Sequence, residues 1–170
     1  PAYVRWWSVD ERHAGIADRR NVIWVEPHGR GNTMYLGMGD RDVLRCLELA
    51  KQRFRVDADR VYLTGQSMGG AGTWNVASRH PELFAAIAPV FGAFDYHVDS
   101  PDTTIAGFSP RERYFRETRS SFVQAESLNN TPIYVNHGDA DPVVDVNHSR
   151  YGVRMLQRWG YDVRYFEHPG

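Results

Sequence analysis

One serine in this chain stands where a hydroxyl can be made nucleophilic. Ser67 is the middle residue of Gly65-Gln66-Ser67-Met68-Gly69, which follows the β-branched and aromatic run Val61-Tyr62-Leu63-Thr64 and precedes small residues that open a helix expected over Ala71 to His80. A strand-to-helix elbow of this kind holds its serine in a strained backbone conformation, clear of the sheet. It also sets the hydroxyl at a helix N-terminus, where amide groups and the helix dipole favour the negative charge that develops in acyl transfer; the N–H of Met68 becomes one oxyanion donor. Gly65 and Gly69 are expected because a β-carbon at either place would meet neighbouring backbone. The competing reading is a chance Gly-Ser-Gly loop, and the strand before and helix after the motif count against it.

A nucleophilic serine needs a base to take its proton, and the base needs a carboxylate to fix its tautomer and stabilise the imidazolium. In elbow enzymes the chain order is serine, acid, histidine. Asp139, Asp141 and Asp145 all follow the apolar run Thr131 to His137. They fall near the C-terminal end of a strand, on the sheet edge where α/β active sites gather, and one of them is expected to be the acid.

The elements that must position these groups alternate. Asn21 to Pro27 is an apolar run stopped by proline and reads as a strand buried on both faces, with the glycine-punctuated loop His28 to Asn32 after it. Asp40 is expected to cap a helix to about Phe54, its apolar stripe made by Val43, Leu47, Ala50 and Phe54. Strands follow at Phe84 to Val90, Thr131 to His137 and Asp162 to Glu167, with a short helix near Ala125 to Leu128 and a longer one from Asn147 to Trp159. Strand-helix alternation implies an α/β fold with a doubly wound, mostly parallel sheet and helices on both faces. Residues 92–124 interrupt the rhythm and read either as a lid or substrate wall, or as a solvated connection with a small aromatic cluster.

Composition excludes several classes. The 170 residues, 42% hydrophobic, suffice for one core and one domain. A net charge of -1, with Lys51 the only lysine, offers no basic field for nucleic acid. A single cysteine, Cys46, precludes an internal disulfide framework and is read as a packed thiol. No apolar run approaches the ~20 residues that span a bilayer. The composition assigns no compartment.

The chain resembles the α/β-hydrolase superfamily, and within it the bacterial esterases related to prolyl oligopeptidase and the dienelactone hydrolases. The carriers are Gly29-Arg30-Gly31, Gly65-Gln66-Ser67-Met68-Gly69-Gly70, Phe84-Ala85-Ala86-Ile87-Ala88-Pro89-Val90 and His137-Gly138-Asp139-Ala140-Asp141-Pro142-Val143-Val144. The resemblance implies that Asp141, fifth in the family's His-Gly-x-x-Asp pattern, is the catalytic aspartate, leaving Asp139 and Asp145 as turn and helix-capping carboxylates. The family's histidine follows a Pro-Gly-x-Gly-His pattern, so the resemblance sets the base a few residues past Gly170. His168, just before Pro169-Gly170, is the secondary candidate. His28-Gly29 imitates the motif of the second oxyanion donor but matches a later strand's Gly-Arg-Gly loop better, and the remaining histidines, His97 and His137 among them, are read as structural or solvent-facing. By the same resemblance, 1–170 is a single partial hydrolase domain lacking the family's first three strands and the histidine loop.

The reading is then a serine hydrolase that cleaves carboxylic esters through an acyl-enzyme. Ser67 is the nucleophile, Asp141 the orienting acid and Met68 an oxyanion donor, with no cofactor or metal. The partner is a small-molecule or oligomeric ester substrate, or a peptide, with no nucleic acid. The alternatives are a prolyl oligopeptidase-type peptidase and a non-catalytic hydrolase-like binding module. A further option is an esterase acting on feruloyl or acetyl groups of carbohydrate, suggested by Trp24, Trp74, Phe94 and Tyr96 as stacking surfaces.

Overall fold

The computed structural model describes residues 11–96 and 108–170. Its helices and strands run α1 (Glu11–Arg20), α2 (Met38–Arg53), β1 (Tyr62–Gln66), α3 (Met68–Arg79), β2 (Ala86–Val90), α4 (Pro110–Arg119), β3 (Ile133–Gly138), α5 (Asn147–Arg158) and β4 (Val163–His168). A 3-10 segment, Ser121–Asn130, occupies the place of the expected short helix. No described helix is long and apolar enough to cross a membrane.

The four strands form one sheet in the order β1-β2-β3-β4, and every neighbouring pair is parallel. Parallel strands share a direction, so the residues that follow β1, β3 and β4 emerge from the same edge. Gln66 pairs with Val90, Val90 with Asn136, and Gly138 with His168. Ser67, the Asp141 loop and His168 are thereby delivered to one rim.

The core lies on one face of this sheet. Trp74, Phe94, Ile87, Leu128, Ile133, Val135 and Leu156 are buried there, and Trp74 meets Phe94 edge to face at 4.8 Å between ring centroids. α3 is enclosed over nine consecutive residues, Gly70 to Ser78. α3 packs on β1, β2 and the 3-10 segment, and α5 on β3 and β4. On the opposite face Tyr62, Tyr134 and Phe166 are exposed among the described residues, the last two stacked at 4.7 Å.

Asn21 to Pro27 is not a strand. Val22, Ile23 and Val25 are 46%, 47% and 45% exposed, because an apolar run forms a ladder only beside another strand and none of the described strands flanks this one. α2 is capped by Gly37 rather than Asp40, which lies in its first turn with Oδ2 3.1 Å from His80 Nε2. Val43 and Ala50 of its stripe are buried, but Phe54 has left the helical conformation and is exposed.

The 92–124 excursion contains α4, whose start is fixed by a reciprocal capping box between Ser109 and Glu112 with Pro110 in the first turn. That Ser-Pro-x-Glu signature was readable in the sequence. Residues 97–107 of the excursion, with His97, lie outside the described residues.

Candidate active site

The rim is built from the nucleophile outward. Ser67 joins β1 to α3 at φ 53° and ψ -116°, a left-handed conformation costly for a residue with a β-carbon. Two backbone bonds over-determine it. The Ser67 N–H donates to Val90 O at 3.0 Å, and its carbonyl accepts from Ala71 N–H at 3.0 Å. The serine itself is exposed. Met68 heads α3, where first-turn N–H groups lack intrahelical partners.

The glycines divide differently from expectation. A β-carbon on Gly65 would lie 2.4 Å from Gly69 O, as expected, whereas one on Gly69 would meet nothing within 4 Å. The second indispensable glycine is Gly70, whose β-carbon would stand 2.5 Å from Val90 O and 2.8 Å from Gly92 Cα. The helix must descend onto the ends of β1 and β2, and residue 70, one step further along than 69, faces that contact.

Two residues that sequence reasoning missed hold α3 in place. A β-carbon on Gly72 would lie 2.3 Å from the Tyr35 ring, and the Tyr35 hydroxyl donates to Pro27 O at 3.2 Å. Asn75, buried on α3, donates from Nδ2 to Met34 O at 2.9 Å and accepts at Oδ1 from Ser121 Oγ at 2.7 Å. The loop through Met34 and Tyr35 and the 3-10 segment are thus fastened to the elbow helix. Gly72, a third glycine in α3 where a helix former would be cheaper, was the available signal.

Past β3 the three aspartates take separate tasks. Asp141 Oδ1 accepts the N–H groups of Val143 at 2.8 Å and Val144 at 3.0 Å. These two amides, Val144 first, hold its carboxyl below the usual aspartate range. Asp145 Oδ1 accepts from Asn147 N–H at 2.8 Å, at the start of α5. Asp139 turns to β4, its N–H donating to His168 O at 2.9 Å and its Oδ1 accepting from Gly170 N–H at 2.8 Å. His168 Nε2 bonds Asn136 Oδ1 at 3.1 Å on the open sheet face; its ring is engaged there and not with Asp141.

The family model for the prolyl oligopeptidase family matches residues 7–170. This chain belongs to the prolyl oligopeptidase family. Its α/β-hydrolase fold also appears in a thermostable esterase, superposed at a TM-score of 0.59 with 31% identity over 76% of this chain and 28% of that one. An acylaminoacyl peptidase of Pyrococcus horikoshii shares the fold at a TM-score of 0.66 and 19% identity, over 77% of this chain and 23% of that one. An uncharacterized secreted protein of Arthroderma benhamiae is 31% identical over the whole chain, and a bifunctional acetylxylan esterase/xylanase of Neocallimastix patriciarum is 29% identical over 69% of it. The chain spans 17% and 20% of those two relatives' lengths.

Of the four aromatics considered as stacking surfaces, Trp74 and Phe94 are fully buried in the family fold's core and present no ring to a ligand. Trp24 is stacked on His13 at 4.7 Å and donates from Nε1 to Glu26 Oε1 at 2.8 Å.

Proposed function

We propose that the chain carries the nucleophile and orienting acid of a serine hydrolase acting on carboxylic esters. The observation that carries the reading is Ser67 itself, exposed and locked at positive φ between β1 and α3, on the rim that also bears Asp141. In this reading Ser67 Oγ attacks the acyl carbon and its proton passes to a histidine. The tetrahedral oxyanion faces the Met68 N–H, and collapse expels the alcohol to leave an acyl-enzyme that water then hydrolyses. The base is the histidine that the family's Pro-Gly-x-Gly-His pattern places after the last strand. Asp141 Oδ1 is occupied by two amides, which leaves Oδ2 to orient that imidazole.

The ester reading draws support from the esterase relatives, at 31% and 29% identity. A peptidase reading draws on the family itself, because one triad serves both bonds and the substrate walls decide between them. The test is kinetic: the full-length protein containing this chain is assayed on p-nitrophenyl acetate, acetylated xylan and a prolyl p-nitroanilide. A kcat/KM for acetyl esters well above that for the anilide is expected, and the reverse order overturns the ester assignment.

A further inference from the structure

His137 is a buried, polar, titratable side chain for which the chemistry above has no use. It is the last inward-facing residue of β3, 1% exposed, roofed by the aspartate loop and the first turn of α5. Its Nε2 lies 2.9 Å from Val144 O, and its Nδ1 2.7 Å from Ser149 Oγ. A carbonyl oxygen only accepts, so Nε2 carries the hydrogen. In the neutral ring Nδ1 is then the acceptor, and the buried Ser149 hydroxyl donates to it.

Val144 is consequently held at both ends: its N–H donates to Asp141 Oδ1, and its carbonyl accepts from the His137 Nε2–H. Asp141 Oδ2 stands 3.5 Å from the same Nε2, a longer contact beside the 2.9 Å bond to Val144 and one that ranks behind the Val144 and Val143 amides in lowering the Asp141 carboxyl. The ring therefore grips the loop chiefly through Val144, its shortest contact there. A ring in the other tautomer would present a lone pair to the Val144 carbonyl and release the grip.

We infer that His137, fixed in its Nε2–H tautomer by Ser149, is a positioning residue that sets the orientation of the Asp141 carboxylate through Val144. The inference rests on the assignment of Asp141 as the acid. The sequence motif contained the histidine without revealing this task, since Ser149 lies twelve residues away on another element.

The test uses the full-length protein and four variants: His137→Leu, His137→Gln, Ser149→Ala and Asp141→Asn. His137→Leu is expected to lower kcat by roughly 10–100-fold, the range seen when partners that orient metal ligands from behind are removed, with KM nearly unchanged. His137→Gln, which keeps an N–H near Nε2, should restore much of the loss. In an Asp141→Asn background His137→Leu should cost little more, because both act through one carboxylate. Ser149→Ala should show a mixed-tautomer ¹⁵N signature for His137, and the Val143 and Val144 amides should exchange faster. Additive losses in the double variant, or a Ser149→Ala protein whose tautomer and amide exchange match the parent, overturn the inference. The exchange and ¹⁵N readouts need no turnover, so they judge the clamp even if Ser67→Ala and Asp141→Asn prove harmless and the hydrolase reading fails.

Discussion

Gly70 and Gly92 touch backbone to backbone: a β-carbon built on Gly92 would lie 2.2 Å from the carbonyl carbon of Gly70, and one on Gly70 would lie 2.8 Å from Gly92 Cα. This contact seats the start of α3 against the chain leaving β2, and so sets how far Ser67 rises above the sheet. Gly70→Ala should therefore cost about 3 kcal/mol or more, since backbone, unlike a side chain, has nowhere to move. Gly69→Ala, with open space around its β-carbon and a helical backbone, should be neutral or stabilising by up to about 1 kcal/mol. Urea unfolding of the two variants checks the contrast; equal costs would mean that the elbow is seated some other way.

Ser67→Ala in the full-length protein should abolish labelling by a fluorophosphonate probe while leaving the unfolding midpoint close to that of the parent. Ser67 is exposed and gives its backbone, not its side chain, to the elbow. Undiminished labelling would point to a different nucleophile.

Asp141→Asn should lower kcat by about 10⁴-fold if the residue orients the base, as removal of a triad carboxylate does. Asp139→Asn should be mild, because an amide oxygen can still accept the Gly170 N–H. A carboxyl ¹³C titration should place Asp141 below the ordinary aspartate value, owing to the Val144 and Val143 amides. Asp139→Asn proving the more damaging change would move the acid by two residues.

Arg150 on α5 forks onto Glu167 of β4, with Nε to Oε2 at 2.9 Å and an Nη to Oε1 at 2.7 Å, and the Tyr165 hydroxyl donates to Oε2 at 2.7 Å. The Arg150 and Tyr165 hydrogen bonds lower the Glu167 pKa from 4.5 to about 2. A depressed folded-state pKa means that this contribution is complete above pH 4.5 and disappears as pH falls toward 2. The pair is solvent-facing, so high salt should shrink the effect. Arg150→Ala should return the Glu167 titration toward the ordinary range; a midpoint that stays near 2 would assign the shift to another cause.

Local order along the chain was enough to read the alternation of strands and helices, the Gly-x-Ser-x-Gly elbow and the cluster of aspartates after β3, because each depends on contacts within a few residues or on side-chain period. The capping box at Ser109 and Glu112 was equally local, but reading 92–124 as an interruption of the rhythm passed it over. What the chain by itself could not decide was which partner each segment finds. Asn21 to Pro27 has a strand's composition, but a ladder is a property of two segments, and the described fold gives it no neighbour. Gly69 and Gly70 are adjacent and alike in sequence, yet the descent of α3 onto Val90 and Gly92 makes only the second irreplaceable. Three aspartates within seven residues are told apart by the amides each one meets. His137 gains its place in the site only because α5 returns Ser149 to its ring, a juxtaposition that burial and packing create and that no spacing in the sequence encodes.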